Sequence, residues 1–171
     1  HLFESGEDEQ VRIPKIAVAR DGSVLAFARG CRFLRRSEDR GETWSQTVEF
    51  GPSGGGNVVV DATCGDVLVV CPGPEELWRS RDHGRTWDRE SISFRPNKIG
   101  HGTNDTVPVN VSASESGITL RHGEHAGRLV MPVRVQLQNG PEFNEDREEY
   151  WQYHYNTSIH SDDGGAIKVV M

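Results

Sequence analysis

The sequence predicts an all-β chain that folds as a β-propeller. A short box of turn-forming residues recurs, its recurrence has the length of one four-stranded propeller blade, and the segments between the boxes have the composition of short strands. The 171 residues also include 19 Gly and 8 Pro, more chain-turning residues than long helices tolerate. We therefore expect one domain over residues 1–171, built from short antiparallel strands.

The repeated box has the pattern Ser-x-Asp-x-Gly-x-Thr-Trp. It occupies residues 37–44 and 80–87, and a third copy begins at Ser161 but lacks the final Thr and Trp. The box serines lie 43 and then 81 positions apart, which is one and nearly two periods of about 41 residues. This spacing predicts a further, degraded copy near residue 121 and about four blades within the chain.

Each box has the composition of a tight hairpin turn. The Ser hydroxyl and the Asp carboxylate can bind N–H groups of the turn, and Gly tolerates a positive φ. We expect these turns at the outer rim, with Trp44 and Trp87 packed between strands as apolar pegs. A calcium loop is the alternative interpretation, but Asp39, Asp82 and Asp163 lack an array of oxygen ligands that ends in a Glu at the twelfth position. We therefore predict no metal at the boxes.

The segments between the boxes alternate short apolar runs with turn residues, as blade strands do. The predicted strands are 15–18, 24–28, 58–60, 67–70 and 128–133. Strands of about three to ten residues are usual in such sheets.

Composition excludes several classes of partner. The formal net charge is -7 and no basic stripe interrupts the acidic background, so we expect no nucleic acid partner. No apolar run approaches the roughly 20 residues of a membrane-spanning helix. Cys31, Cys64 and Cys71 are odd in number and have no Cys-x-x-Cys spacing, so they predict neither a zinc site nor a complete disulfide framework. We expect no cofactor.

Several motifs follow one another in a defined order. They are Arg-Ile-Pro at 12–14, Leu-Ala-Phe-Ala at 25–28, the first box, and a strand pair at 117–120 and 127–132 before the third box. In this order they resemble the sialidase (neuraminidase) family of exo-glycosidases. The resemblance implies a six-bladed propeller that removes terminal sialic acid with retention, using a Tyr nucleophile assisted by a Glu, an Asp acid/base and three Arg that hold the substrate carboxylate. It therefore implies an exo-α-sialidase-like retaining glycoside hydrolase that acts on sialylated glycans.

The resemblance also implies which residues bind the substrate. Arg12 matches the first Arg of the carboxylate-binding triad. Arg32, with Arg29 as an alternative, lies near the place of another pocket Arg. A guanidinium suits this task because it binds a carboxylate through two parallel hydrogen bonds.

No catalytic residue is assigned. Segment 30–36 passes directly into the first box, without the loop that carries the acid/base Asp in the family. The nucleophile Tyr, its Glu and two further Arg would follow Met171, so we expect an incomplete propeller that does not hydrolyse sialosides at an enzymatic rate by itself. The expected location is secreted or periplasmic.

Other features have alternative interpretations. The aromatic residues of 150–155 pack between blades or form a platform for a sugar ring, and the acidic residues of 142–149 form a solvated loop or supply paired carboxylates. His122 and His125 lie in a Gly-rich segment, which indicates a hairpin tip rather than a metal site. The rival function is a non-catalytic propeller of this box type that binds glycans or proteins.

Overall fold

The structure, a computed structural model, describes residues 2–4, 11, 13–50, 56–71, 75–95, 109–113, 115–137, 154–165 and 169–170. These residues form strands joined by turns, and no helix occurs among them. The described part of the chain therefore holds no helix long and apolar enough to cross a membrane. The predicted all-β class is confirmed.

Two similar antiparallel sheets come first along the chain. The first sheet consists of β1 (Lys15–Val18), β2 (Val24–Ala28), β3 (Phe33–Ser37) and β4 (Val48–Glu49). The second sheet consists of β5 (Asn57–Val60), β6 (Val67–Cys71), β7 (Glu76–Ser80) and β8 (Asp88–Ser91). In both sheets each strand pairs with the next one in sequence, which is the four-stranded meander of a propeller blade.

A third, longer sheet has β12 (Leu129–Leu137) at its centre. Along one side of β12 runs β13 (His154–Ser161), and along the other side run β10 (Val109–Ala113) and then β11 (Ile118–Thr119). Beside these three sheets, β9 (Phe94–Arg95) and β14 (Val169–Val170) form a short parallel pair.

The second sheet packs between the other two. In β6, Val67 and Val69 belong to the core shared with the first sheet, whereas Leu68 belongs to the core shared with the third sheet. Successive residues of a strand point to opposite faces, so a strand that is covered on both faces needs apolar residues throughout. This requirement explains the uninterrupted apolar run of β6, in contrast to the polar residues of the outer strand β8.

The three boxes form the same turn. Ser37, Ser80 and Ser161 are the last residues of β3, β7 and β13. Each Ser hydroxyl donates to the box Asp at 2.7 to 2.8 Å and accepts a hydrogen bond from the N–H of the box Gly at 2.7 to 2.9 Å. Each box Gly and the residue before it have positive φ. The predicted hairpin turns are confirmed, including the shortened third copy.

The expectation of a degraded box near residue 121 is wrong. This position lies in the turn that connects β11 with β12, whereas the boxes follow β3, β7 and β13. Between Ser80 and Ser161 the chain builds one sheet with longer strands, because β12 has nine residues and β13 has eight. Repeat counting assumes segments of constant length, so it predicted about four blades, whereas the described residues form three box-carrying sheets.

The two box tryptophans have different surroundings. Trp87 packs against Phe27 of the first sheet and against Phe50, with ring centroids 6.3 and 4.5 Å away. Trp44 is half-buried on the turn of its own box, where its Nε1 donates to the Gly41 carbonyl at 3.0 Å. Packing against a neighbouring sheet is therefore confirmed for Trp87 only. Among the described residues no sheet precedes the first one, so none covers Trp44.

Two of the box aspartates, Asp39 and Asp82, have lowered pKa values. Hydrogen bonds from the hydroxyl and N–H of Thr43 lower the pKa of Asp39 to about 2. Burial opposes this effect at Asp82, but hydrogen bonds from Thr86 and Ser80 still lower its pKa to about 2. A lowered carboxylate pKa contributes stability that is present above the ordinary value of 3.8 and is lost as the pH falls through the folded value.

As the pH falls, the free energy of unfolding should therefore decrease more steeply for the wild-type chain than for the double variant Asp39→Asn/Asp82→Asn. The variant keeps an oxygen acceptor at each box but cannot gain a proton there. We expect the unfolding free energies of the two proteins, measured with urea, to converge as the pH falls from about 4 to about 2. A difference that stays constant over this range would contradict the charged hydrogen-bonding role of the two carboxylates.

Candidate functional site

Two buried polar residues open the first strands of the first two sheets. Lys15 begins β1 and Asn57 begins β5, and the positions are equivalent because each pairs with the fourth residue of the next strand. The strands β1 and β5 lie side by side. Lys15 is 8% exposed and Asn57 is 0% exposed. Charged groups are rarely buried without a purpose, so we take this end of β1 and β5, the strand-end site, as the candidate functional site.

Lys15 fixes the backbone around Gly56. Its Nζ donates to the Gly56 carbonyl, and the Cys31 thiol donates to the same oxygen at 3.3 Å. The Gly56 N–H in turn donates to the Gly30 carbonyl at 2.7 Å. Burial lowers the pKa of Lys15, and burial raises the pKa of Cys31 to about 12, so the thiol stays neutral beside the ammonium group. The site thus holds a desolvated cation against a fixed carbonyl.

Asn57 links the second sheet to the third. Its Nδ2 donates to the Glu115 carbonyl, in the segment between β10 and β11. Its Oδ1 has no hydrogen-bond partner among the described residues although it is buried. A buried acceptor without a partner is costly, and such groups occur where a site binds something else. Glu115 is exposed, and its carboxylate is close enough to act on the pKa of Lys15.

The third sheet extends past the strand-end site. The N–H of Gly117 donates to the Val58 carbonyl at 2.9 Å, one residue beyond the contact between Asn57 and the Glu115 backbone. The chain before Glu115 is β10, which pairs with residues 133–137 of β12. The third sheet therefore touches the beginning of β5 through the backbone of Glu115 and Gly117, and its strands β10 and β12 lie near β6 and β5.

Arg12 lies outside the described residues. Ile13 follows it directly, is 56% exposed and has a φ of 56°. The left-handed region is unfavourable for a β-branched residue, so this backbone is strained. Such strain is concentrated at functional sites, where the surrounding structure imposes it. The strained residue stands two positions before Lys15, at the same end of β1.

Arg32 lies in the turn between β2 and β3, at the same end of the first sheet as Lys15. Its Nε donates to Glu49 at 2.8 Å, and its guanidinium lies 5.7 Å from the centre of the Phe33 ring. The neighbouring Arg29 has a φ of 53°, so this turn is strained as well. Arg32 therefore lies at the same end as the strand-end site and engages a carboxylate of its own sheet, and substrate binding by Arg32 stays a prediction.

A buried aspartate and the histidine, acidic and aromatic segments considered in the sequence lie in different parts of the chain. Asp61 is buried after the last residue of β5, at the end opposite the strand-end site, and accepts from the Thr63 N–H at 2.8 Å. The turn between β11 and β12 carries His122 and His125, as the hairpin interpretation predicted. Tyr155 of β13 pairs in register with Val135 of β12. The acidic residues of 142–149 and the aromatic residues Tyr150, Trp151 and Tyr153 lie outside the described residues.

Sequence reasoning did not select Lys15 or Asn57. One signal was present, because Lys15 is one of three lysines in a chain that has sixteen arginines. Its burial could not be predicted, since a lysine at the start of a strand is normally solvated and here a neighbouring sheet covers it. No cluster of three or more metal-ligating side chains is found among the described residues.

The chemistry available at the strand-end site is recognition of an anion. The Lys15 ammonium group and the strained backbone next to Arg12 suit an anion, whereas the buried Asn57 Oδ1 is an acceptor and suits a donor such as a hydroxyl or amide N–H of the same ligand. A charged hydrogen bond in such a partly desolvated place is stronger than a neutral one. The described residues bring no nucleophile together with a general base here, so the arrangement supports binding rather than a complete catalytic set.

Comparison with solved structures identifies proteins that have a similar fold. No protein-family model matches the sequence, and no curated protein is similar to it in sequence. The intramolecular trans-sialidase from Ruminococcus gnavus, in complex with oseltamivir carboxylate, matches with a TM-score of 0.64 and 12% identity over 96% of this chain and 61% of that chain. The leech intramolecular trans-sialidase, complexed with 2,7-anhydro-Neu5Ac, matches with a TM-score of 0.63 and 12% identity over 96% of this chain and 44% of that chain.

A glycosidase that acts on a different sugar shares the fold at a lower TM-score. The Penicillium chrysogenum α-L-arabinanase complexed with arabinobiose matches with a TM-score of 0.53 and 17% identity over 95% of this chain and 50% of that chain. The chain thus spans between 44% and 61% of the length of these solved structures. It has the fold of the sialidase-like β-propellers.

Proposed function

We propose that the chain is the substrate-recognising part of an exo-α-sialidase-like glycoside hydrolase. The observation that carries the proposal is the match of 96% of the chain to two trans-sialidase structures, together with the Arg-Ile-Pro segment that leads into β1. In this proposal the strand-end site holds the carboxylate of a terminal sialic acid, with Arg12 and Arg32 as its guanidinium ligands. A bidentate guanidinium fits a carboxylate better than it fits any neutral group of a sugar.

The charge of the site favours sialic acid over a neutral sugar as the substrate. The arabinanase and the trans-sialidases have the same fold, so fold similarity alone does not identify the substrate. Burial of the Lys15 ammonium group has a free-energy cost that a neutral furanoside would not offset, whereas an anionic group would. The buried cation therefore favours sialic acid over arabinose.

Substrate binding and hydrolysis require different residues. The β2–β3 turn at 29–32 is short and contains no Asp, so the described residues offer no counterpart of the family's acid/base group at that turn. General acid–base assistance is worth about 10²–10⁴-fold in rate. We therefore propose that these 171 residues bind sialosides and that hydrolysis, an activity of the whole protein, needs further residues. A non-catalytic, glycan-binding propeller remains the second candidate because of the same turn.

The test is ligand binding by saturation-transfer NMR. Methyl α-sialoside, arabinobiose and methyl β-galactoside are each added to the 171-residue chain. We expect saturation transfer to the sialoside only, and a decrease of its signal when free sialic acid is added as a competitor. Transfer to arabinobiose with none to the sialoside would contradict the proposal and assign the site to neutral sugars.

A second measurement separates the enzyme from the binding module. Release of a fluorescent aglycone from a sialoside is followed with the 171-residue chain, beside an active sialidase as positive control. We expect no turnover above the uncatalysed rate. Turnover comparable to that of the control would show that the chain holds its own acid/base group and nucleophile.

A further inference from the structure

Two of the three cysteines are buried where the first and second sheets meet. Cys31, in the turn between β2 and β3, and Cys71, the last residue of β6, are both 0% exposed. Both belong to the hydrophobic core that the two sheets share. Cys64 is exposed in the turn between β5 and β6. The fold therefore divides the odd number of cysteines into a buried pair and one exposed thiol.

The sulfur atoms of the buried pair lie against the same residue, Gly56. The Cys31 thiol donates to the Gly56 carbonyl at 3.3 Å. A Cβ added to Gly56 would lie 2.8 Å from Cys71 Sγ and 3.4 Å from the carbonyl oxygen of Gly30, the residue before Cys31. The first of these distances is too short for a real contact, so position 56 must be a glycine to leave room for the sulfur of Cys71. Cys71 Sγ thus lies close to the backbone that carries Cys31.

The two thiols also act on each other and share one cation. Burial raises the pKa of Cys31 to about 12, and burial together with the charge of a Cys31 thiolate raises the pKa of Cys71. Lys15, whose Nζ donates to the same Gly56 carbonyl, lowers the pKa of both thiols. An adjacent ammonium group favours the thiolate, which is the form that attacks a disulfide.

The backbone of Cys31 favours a role for its sulfur atom. Cys31 has a φ of 69°, in the left-handed region, which is unfavourable for a residue with a Cβ and favourable for glycine. Buried cysteines often serve only as small apolar groups of a core. At this position such a group would gain a little apolar burial at the cost of a strained backbone, whereas a covalent bond to the second sheet would offset that cost.

We infer that Cys31 and Cys71 form a disulfide bond under oxidising conditions and thereby join the first sheet to the second beside the strand-end site. The Cys31 thiolate first attacks a small disulfide, such as oxidised glutathione, and one glutathione thiolate leaves. The Cys71 thiolate then attacks the Cys31 sulfur of this mixed disulfide, and the second glutathione thiolate leaves. The pair gives up two electrons and two protons, and one glutathione disulfide becomes two thiols.

The bond would connect parts of the chain that lie far apart in sequence. It would close a loop of about 40 residues that contains the first box and the strand β5. A crosslink of this kind restricts the unfolded chain, so we expect the oxidised chain to unfold at a higher urea concentration than the reduced chain.

The test is a count of free thiols in the intact 171-residue chain after refolding in a buffer of oxidised and reduced glutathione. The chain is denatured, its free thiols are blocked with N-ethylmaleimide, and mass spectrometry counts the blocked residues and identifies linked peptides. We expect Cys31 and Cys71 in one linked pair of peptides and Cys64 outside it. Reduction before blocking should return the count to all three cysteines.

The matched control is Cys64→Ser, which removes the exposed thiol and leaves the buried pair intact. We expect this variant to keep the link and to show no free thiol after oxidation, whereas Cys71→Ser should leave Cys31 without the link. Three free thiols in the oxidised wild-type chain would overturn the inference, as would a link that includes Cys64. A link between Cys31 and Cys71 that lowers the urea midpoint would also overturn it, because the bond would then be incompatible with the native sheets.

Discussion

The variant Gly84→Ala should be destabilised by about 2–5 kcal/mol. Gly84 has a φ of 88°, and the left-handed region costs an L-residue about 1–2 kcal/mol. The added methyl group would also lie 2.6 Å from Leu25 Cδ2, and overpacking of this kind costs a further ~1–3 kcal/mol. The measurement is urea unfolding of the variant beside the wild-type chain.

The control is Gly22→Ala, which isolates the backbone effect. Gly22 has a nearly identical φ of 87°, but an added Cβ there would meet nothing within 4 Å. We expect this variant to lose only the backbone contribution of about 1–2 kcal/mol. Equal losses in the two variants would contradict close docking of the second box on the first sheet.

Replacement of Arg79 by methionine should cost about 3 kcal/mol. The guanidinium is 8% exposed and binds Glu90, Asp66 and the Gly164 carbonyl, so its loss takes this partner from Asp66 and from the carbonyl and leaves Glu90 with Arg81 alone. Breaking a buried ion pair typically costs ~3–5 kcal/mol, and the lower value applies because Glu90 is partly exposed. Methionine keeps the apolar stem, so the loss measures the charged contacts.

The corresponding control is Arg89→Met. Arg89 is 62% exposed and pairs with Glu76 on the neighbouring strand β7. The Glu76 side chain is 16% exposed, but the Arg89 guanidinium is open to water, which screens the pair, so we expect a smaller loss of about 1 kcal/mol. Chemical unfolding of both variants gives the comparison, and a loss at Arg89 as large as that at Arg79 would contradict the role of Arg79 as the connection between the second and third sheets.

The first two sheets were largely predictable from the sequence. The predicted strands 15–18 and 24–28 have the observed bounds, and 58–60 and 67–70 each differ by one residue from β5 and β6. These bounds could be predicted because short apolar runs alternate with Gly-rich turns, and because the box residues form hydrogen bonds within their own turn. Local chemistry of this kind can be recognised without knowledge of the neighbouring sheets.

The third sheet and the site were less predictable. The predicted strand 128–133 covers only part of β12, because pairing with β10 and β13 extends that strand to Leu137. Likewise, the burial of Lys15 and Asn57 depends on how the first two sheets lie together, and the sequence of either strand alone does not contain this information. The strand-end site could therefore be identified only from the structure.

We propose that the end of β1 next to Arg12 binds the carboxylate of sialic acid. Calorimetric titration of methyl α-sialoside into the variants Arg12→Lys and Arg20→Lys measures the contribution of Arg12 to this binding. Arg20 is exposed in the turn after β1, at the opposite end of that strand, and serves as the matched control. Lysine keeps the charge but cannot form the bidentate pair, so we expect binding by Arg12→Lys to be at least about tenfold weaker, with Arg20→Lys unchanged. Equal affinity of both variants and the wild-type chain would contradict the claim.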